Sequence, residues 1–71
     1  MRRERVSSSA ISSVGYDPKS SVLEVEFSSG IVYDYFGVPS RVFRQLMKAP
    51  SIGSFVSRRI RDRYEFARRE H

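Results

Sequence analysis

The run Leu23-Glu24-Val25-Glu26-Phe27 alternates apolar and charged residues without a break, and Ser28-Ser29-Gly30 follows it directly. Side chains repeat every second residue along a strand, so this run is a strand with one buried face. A Gly-containing turn followed by Ile31-Val32-Tyr33-Asp34-Tyr35-Phe36 makes the whole a β-hairpin. Strands are expected over residues 21–27 and 31–36.

Two registers fit. In the first, a three-residue loop places Gly30 at a bulge. Phe27 then faces Ile31, Val25 faces Tyr33 and Leu23 faces Tyr35. In the second, a two-residue Ser29-Gly30 loop sets Phe27 against Val32 and moves both tyrosines to the face of Glu24 and Glu26. A one-residue slip reverses every side chain. The first segregates polarity better and is favoured, although it sets Glu24 opposite Asp34. It makes Tyr33 and Tyr35 core residues, whereas the second makes them an exposed aromatic platform.

A third strand is expected over residues 10–16, although Ile11, Val14 and Tyr16 do not alternate cleanly. Asp17-Pro18-Lys19-Ser20 suits a type I turn. After Gly37, Val42, Phe43, Leu46 and Met47 recur at helical spacing, predicting a helix over 39–48. Pro50 stops it and Ser51 caps the next. Ile52, Phe55, Val56, Ile60 and Tyr64 predict a second helix over 52–62. The expected fold is α+β: a three-stranded antiparallel β-meander followed by two α-helices packed on one face. Residues 1–5 are expected as a mobile arm, 6–64 as a single domain and 65–71 as a frayed tail.

Seventy-one residues allow one small domain. With no cysteine, the chain has neither a disulfide framework nor a thiolate metal site, and suits a reducing cytoplasm. His71 is the single histidine, which argues against histidine catalysis and histidine metal ligation. No apolar run approaches the ~20 residues of a membrane span.

Charge is unevenly spread. Residues 1–39 carry four basic and five acidic groups, whereas residues 40–71 carry nine basic and three acidic, a net +6. Such a field attracts polyanions, and arginine suits phosphate because its planar fork donates two hydrogen bonds. Arg41, Arg44, Lys48, Arg58, Arg59, Arg61 and Arg63 are the expected nucleic-acid-binding residues, with Tyr33 and Tyr35 stacking bases or holding the sheet edge. A solvated, solubilising surface is the plain alternative for the arginines.

Other chemistry has less support. Glu24, Glu26 and Asp34 could gather on one sheet face and attract a hard cation, but no loop has EF-hand spacing. No metal site and no cofactor are expected. A ribonuclease could use Glu24 or Glu26 with an arginine clamp, but lacks a second acid–base partner. The thirteen serines have no visible activator. No catalytic residue is assigned. Membrane-surface binding would need exposed apolar helix faces that the core requires here.

Several short motifs resemble the KTSC domain family, named for the C-terminal domain of some lysyl-tRNA synthetases and also found as single-domain bacterial and phage proteins. They are Ser8-Ser9-Ala10-Ile11, Val14-Gly15-Tyr16-Asp17, Leu23 through Phe27, Gly30, the central Tyr33-x-Tyr35, Val38-Pro39, Ser51-x-Gly53-x-Phe55, and Ile60-Arg61 followed by Tyr64. At Val56-Ser57 the sequence departs from an expected aromatic followed by Asn. The resemblance implies a small α+β domain with a role in RNA binding, by its attachment to a tRNA-charging enzyme, and carries no catalytic activity. The expectation is a cytoplasmic, non-enzymatic nucleic-acid-binding module, for RNA in preference to DNA. The alternative is a protein–protein interaction module that docks an acidic partner or self-associates.

Overall fold

The hairpin forms in the favoured register. In the computed structural model, which describes residues 3–6 and 9–69, Leu23 stands opposite Tyr35, Val25 opposite Tyr33 and Glu24 opposite Asp34. The loop is three residues long. The Phe27 N–H donates to the Ile31 carbonyl and the Gly30 N–H to the Phe27 carbonyl, both at 2.9 Å. Gly30 has a φ of 93°, a conformation L-residues rarely adopt.

The hairpin strands are the centre of a larger sheet. The elements are β1 (Arg3–Arg5), β2 (Ile11–Asp17), β3 (Val22–Phe27), β4 (Val32–Tyr35), α1 (Ser40–Lys48), α2 (Ile52–Phe55), a π-helical turn (Val56–Ile60) and β5 (Phe66–Arg69). The five strands are antiparallel neighbours in the order β1-β2-β3-β4-β5.

The irregular spacing in β2 has a local cause. Its register with β3 shifts between Ile11 and Ser13. The extra residue of this bulge brings Ile11, Val14 and Tyr16 opposite Phe27, Val25 and Leu23, so all six share one face. Against that face pack Val38, Leu46, Val56 and Ile60, which with Ile11, Val14, Leu23, Val25 and Tyr35 form the buried core. Tyr16 fastens the sheet to α1: its ring stacks on Phe43 at 4.9 Å, and its hydroxyl donates to the Val38 carbonyl at 2.6 Å.

Three strands were expected and, among the described residues, the sheet has five. Arg3–Arg5, expected as an arm, pairs with Ser13–Gly15 of β2. Phe66–Arg69, expected within a frayed tail, pairs with β4. One large apolar residue, Phe66, cannot announce a strand by periodicity. Long-range contacts specify it instead: Phe66 packs edge-on against Tyr33 at 5.4 Å and Arg69 ion-pairs with Asp34. Glu65 leads into this strand, its carbonyl accepting from the Phe36 N–H at 2.8 Å; residues 1, 2, 70 and 71 lie outside the described residues.

The second helix is also modified. Ser51 caps it as expected, its Oγ accepting from the Ser54 N–H at 3.3 Å. Only Ile52–Phe55 is α-helical. The hydrogen bonding then widens, and the Arg61 N–H donates five residues back to the Val56 carbonyl at 2.8 Å. Val56 and Ile60 stay buried, while Ser57, Arg58 and Arg59 all face solvent.

Candidate nucleic-acid interface

Helix α1 and the π-helical turn present the basic residues. Arg41, Arg44, Lys48, Arg58, Arg59, Arg61 and Arg63 are all exposed, because the apolar stripes of both elements turn inward to the core. They do not form one uniform patch. Arg41 from α1, Arg59 from the π-helical turn and Arg63 just beyond it line one depression of about 400 Å³, with Gln45, Phe55 and Tyr64. No carboxylate borders it. Among the described residues, none of these three guanidinium groups makes an ion pair or hydrogen bond within the chain. Arg58 shares a smaller hollow with Arg59, beside Pro50 and Phe55. Arg44 and Lys48 lie on the exposed side of α1, apart from both.

Arg61 stands elsewhere, on the rim of a groove of about 590 Å³ between the helix-facing side of the sheet and the π-helical turn. Tyr33 and Tyr35 line this groove. Tyr35 is only 3% exposed and belongs to the core, so it forms a floor rather than a platform. Its burial, followed by the proximity of Tyr33, pushes its phenol above the ordinary value. Tyr33 is half-buried and contacts Phe27 edge-on at 5.6 Å. Phe66 completes the aromatic wall, 55% exposed. Sequence reading missed Phe66 because its segment carries no strand signal. Val56 and Ser57 line the same groove.

Glu24, Glu26 and Asp34 lie on the opposite side of the sheet. Glu24 and Asp34 face each other, and Glu24 is only 4% exposed. Arg69 Nη1 is 2.6 Å from Glu24 Oε2, and its Nη2 donates to both oxygens of Asp34 at 3.0 and 2.9 Å. These bonds, led by the one to Asp34, raise the Arg69 pKa further. Glu26 accepts from the Ser13 hydroxyl at 2.9 Å. The carboxylates and an arginine thus form an interlocked polar layer. Among the described residues no group of three or more His, Cys, Asp or Glu side chains could hold a metal ion. No helix of the described residues is long and apolar enough to cross a membrane.

An antiparallel sheet covered by helices on one face, with an aromatic groove at their junction, defines a small α+β domain. The chain belongs to the KTSC domain family, whose pattern matches residues 7–64. The crystal structure of a KTSC domain protein from Yersinia pestis superposes with a TM-score of 0.92 at 38% identity, covering 97% of each chain. An uncharacterised protein of Stutzerimonas stutzeri is 49% identical over 53 residues, 75% of each chain. A lysine–tRNA ligase of Nostoc punctiforme is 40% identical over 58 residues, which are 82% of this chain and 10% of the ligase.

Proposed function

We propose that this protein is a non-enzymatic nucleic-acid-binding module with RNA as its target. The observation that carries the reading is the depression lined by Arg41, Arg59 and Arg63. Three unengaged guanidinium groups converge there from α1, the π-helical turn and the segment that follows it, with no carboxylate to compete with phosphate. The occurrence of a similar segment within lysine–tRNA ligases supports RNA over DNA. Arg44, Lys48 and Arg58 extend the positive field and Arg61 joins it from the groove rim. Tyr35 supports the groove from below, and Tyr33 offers part of its ring.

Fluorescence anisotropy with a labelled tRNA and a labelled random single strand, at several salt concentrations, tests the proposal. Binding should weaken steeply with salt as counterions are released. The triple variant Arg41→Glu, Arg59→Glu, Arg63→Glu should bind far more weakly, with a log–log salt slope shallower by about 2. No binding by the wild type at low salt, or unchanged affinity in the variant, overturns the reading.

One observation favours protein docking instead. Strand β5 is a sheet edge with all four residues exposed, and edges invite strand addition. Arg68 and Arg69 guard that edge, since charged residues oppose indiscriminate pairing, so RNA is the preferred reading. Failure of the anisotropy test would direct attention to this edge.

A further inference from the structure

Phosphate contacts on Arg41, Arg59 and Arg63 leave the aromatic groove without a role. Its volume, about 590 Å³, falls within the ~300–1,000 Å³ of small-ligand sites. Its wall is a chain of rings: Phe27 meets Tyr33 at 5.6 Å and Tyr33 meets Phe66 at 5.4 Å, both edge to face. Phe66 keeps more than half of its surface in solvent, and it stands in one contiguous aromatic wall with Tyr33 and Phe27 rather than alone. On the rim, the Arg61 guanidinium makes no ion pair or hydrogen bond among the described residues.

The groove also joins the arginine depression. Arg61, Asp62 and Phe66 border it on one side and border a shallow saddle on the other. Arg63, Tyr64 and Glu65 complete that saddle, and Arg63 and Tyr64 also line the depression with Arg41 and Arg59. One surface therefore runs from a phosphate-binding cluster to a slot walled by aromatic rings with a guanidinium at its mouth.

We infer that this groove takes one unpaired nucleobase, stacked on Phe66 and the accessible part of Tyr33, with its phosphate on Arg61, so that the domain selects single-stranded or looped RNA over duplex. A base must leave its neighbours to stack on a protein ring, which a paired duplex resists. Aromatic stacking and a guanidinium complement the two halves of a nucleotide. Asp62, an anion on the same rim, does not attract phosphate. It accepts hydrogen bonds instead, and suits the amino edge of a base. The inference rests on the nucleic-acid reading and adds to it the form of RNA recognised.

The test compares anisotropy for a labelled RNA of about twelve nucleotides, single-stranded and annealed to its complement. The wild type should prefer the single strand by about tenfold, the size of one base–aromatic stack. Phe66→Ala should abolish the preference while leaving the salt slope unchanged, since no phosphate contact is lost. Arg61→Gln should weaken single-strand binding and make its slope shallower by about 0.7. Both side chains are exposed, and far-UV circular dichroism checks that each variant folds. As a readout on the unmodified protein, NOEs should connect base protons to the Phe66 ring. Equal binding of both RNAs by the wild type, a preference that survives Phe66→Ala, or missing NOEs overturns the groove assignment while the arginine reading stands. Absence of RNA binding by the wild type overturns both.

Discussion

Arg69 holds Asp34 through a forked contact, one nitrogen donating to both carboxylate oxygens at 3.0 and 2.9 Å. Asp34 stands opposite Glu24 across the β3–β4 pair, and like charges directly opposite are destabilising. The same guanidinium reaches Glu24 at 2.6 Å. The last described residue of the chain thus resolves an electrostatic conflict at the sheet's centre.

Arg69→Ala should therefore destabilise the fold by about 1–2 kcal/mol, the range of a charged hydrogen bond reduced by partial exposure. The Arg69 side chain is 44% exposed, but its Glu24 partner is 5% exposed. Urea unfolding measures the loss. Adding Asp34→Asn should recover part of it, because one of the two facing charges is gone. No loss in the single variant would mean that β5 contributes no net electrostatic stabilisation.

Asp17 sets a low-pH limit. Its carboxylate accepts from the Ser20 hydroxyl at 2.9 Å and from the Lys19 N–H at 3.0 Å, which together hold its pKa below the reference 3.8. A lowered folded-state pKa stabilises the fold above the unfolded value and is lost as pH falls through the folded value. Between pH 5 and about 2 the wild type should lose more stability than Asp17→Asn. Carbon-13 NMR titration of the Asp17 carboxyl should show a midpoint below 3.8; a midpoint at or above it would contradict the hydrogen bonding.

Tyr35 sets a limit at the other end. Burial, then the neighbouring Tyr33, raises its pKa above 10.0. Its contribution is complete below the unfolded value and is lost as pH rises, because the unfolded phenol releases its proton first. Ultraviolet titration should show one phenol ionising late in the native protein and absent in Tyr35→Phe. If the late step persists in the variant, it belongs to another tyrosine.

Gly30→Ala should cost about 1–2 kcal/mol, the penalty for a side chain in the left-handed region. A Cβ there would meet nothing within 4 Å, so the backbone at φ 93° is the whole effect. Gly30→Asn, which tolerates such angles better, should cost less. Equal thermal melts for wild type and Gly30→Ala would show that the loop relaxes freely.

Local patterns carried most of the fold. The alternation from Leu23 to Phe27, the turn at Gly30, the helical spacing from Val42 to Met47 and the Ser51 cap each depend on neighbours within a few residues, so each was legible in order. Segregation of polarity also selected the hairpin register, since the wrong register would have placed Tyr33 and Tyr35 beside Glu24 and Glu26. The basic half of the chain was equally plain.

Tertiary structure decided the rest, because it depends on residues distant in sequence. Strand β5 exists through Phe66 on Tyr33 and Arg69 on Asp34, 35 residues earlier. The bulge after Ile11 is visible only against β3. The slip to π-helical bonding at Arg61 turns Arg58 and Arg59 both outward, which a regular helical pattern does not express. Sequence alone determined that this half of the protein is strongly basic. The packing of α1 beside α2 and the π-helical turn decided that Arg41, Arg59 and Arg63 share one depression while Arg61 borders the adjoining aromatic groove. Convergence of side chains from separate elements is a property of packing, and no local pattern encodes it.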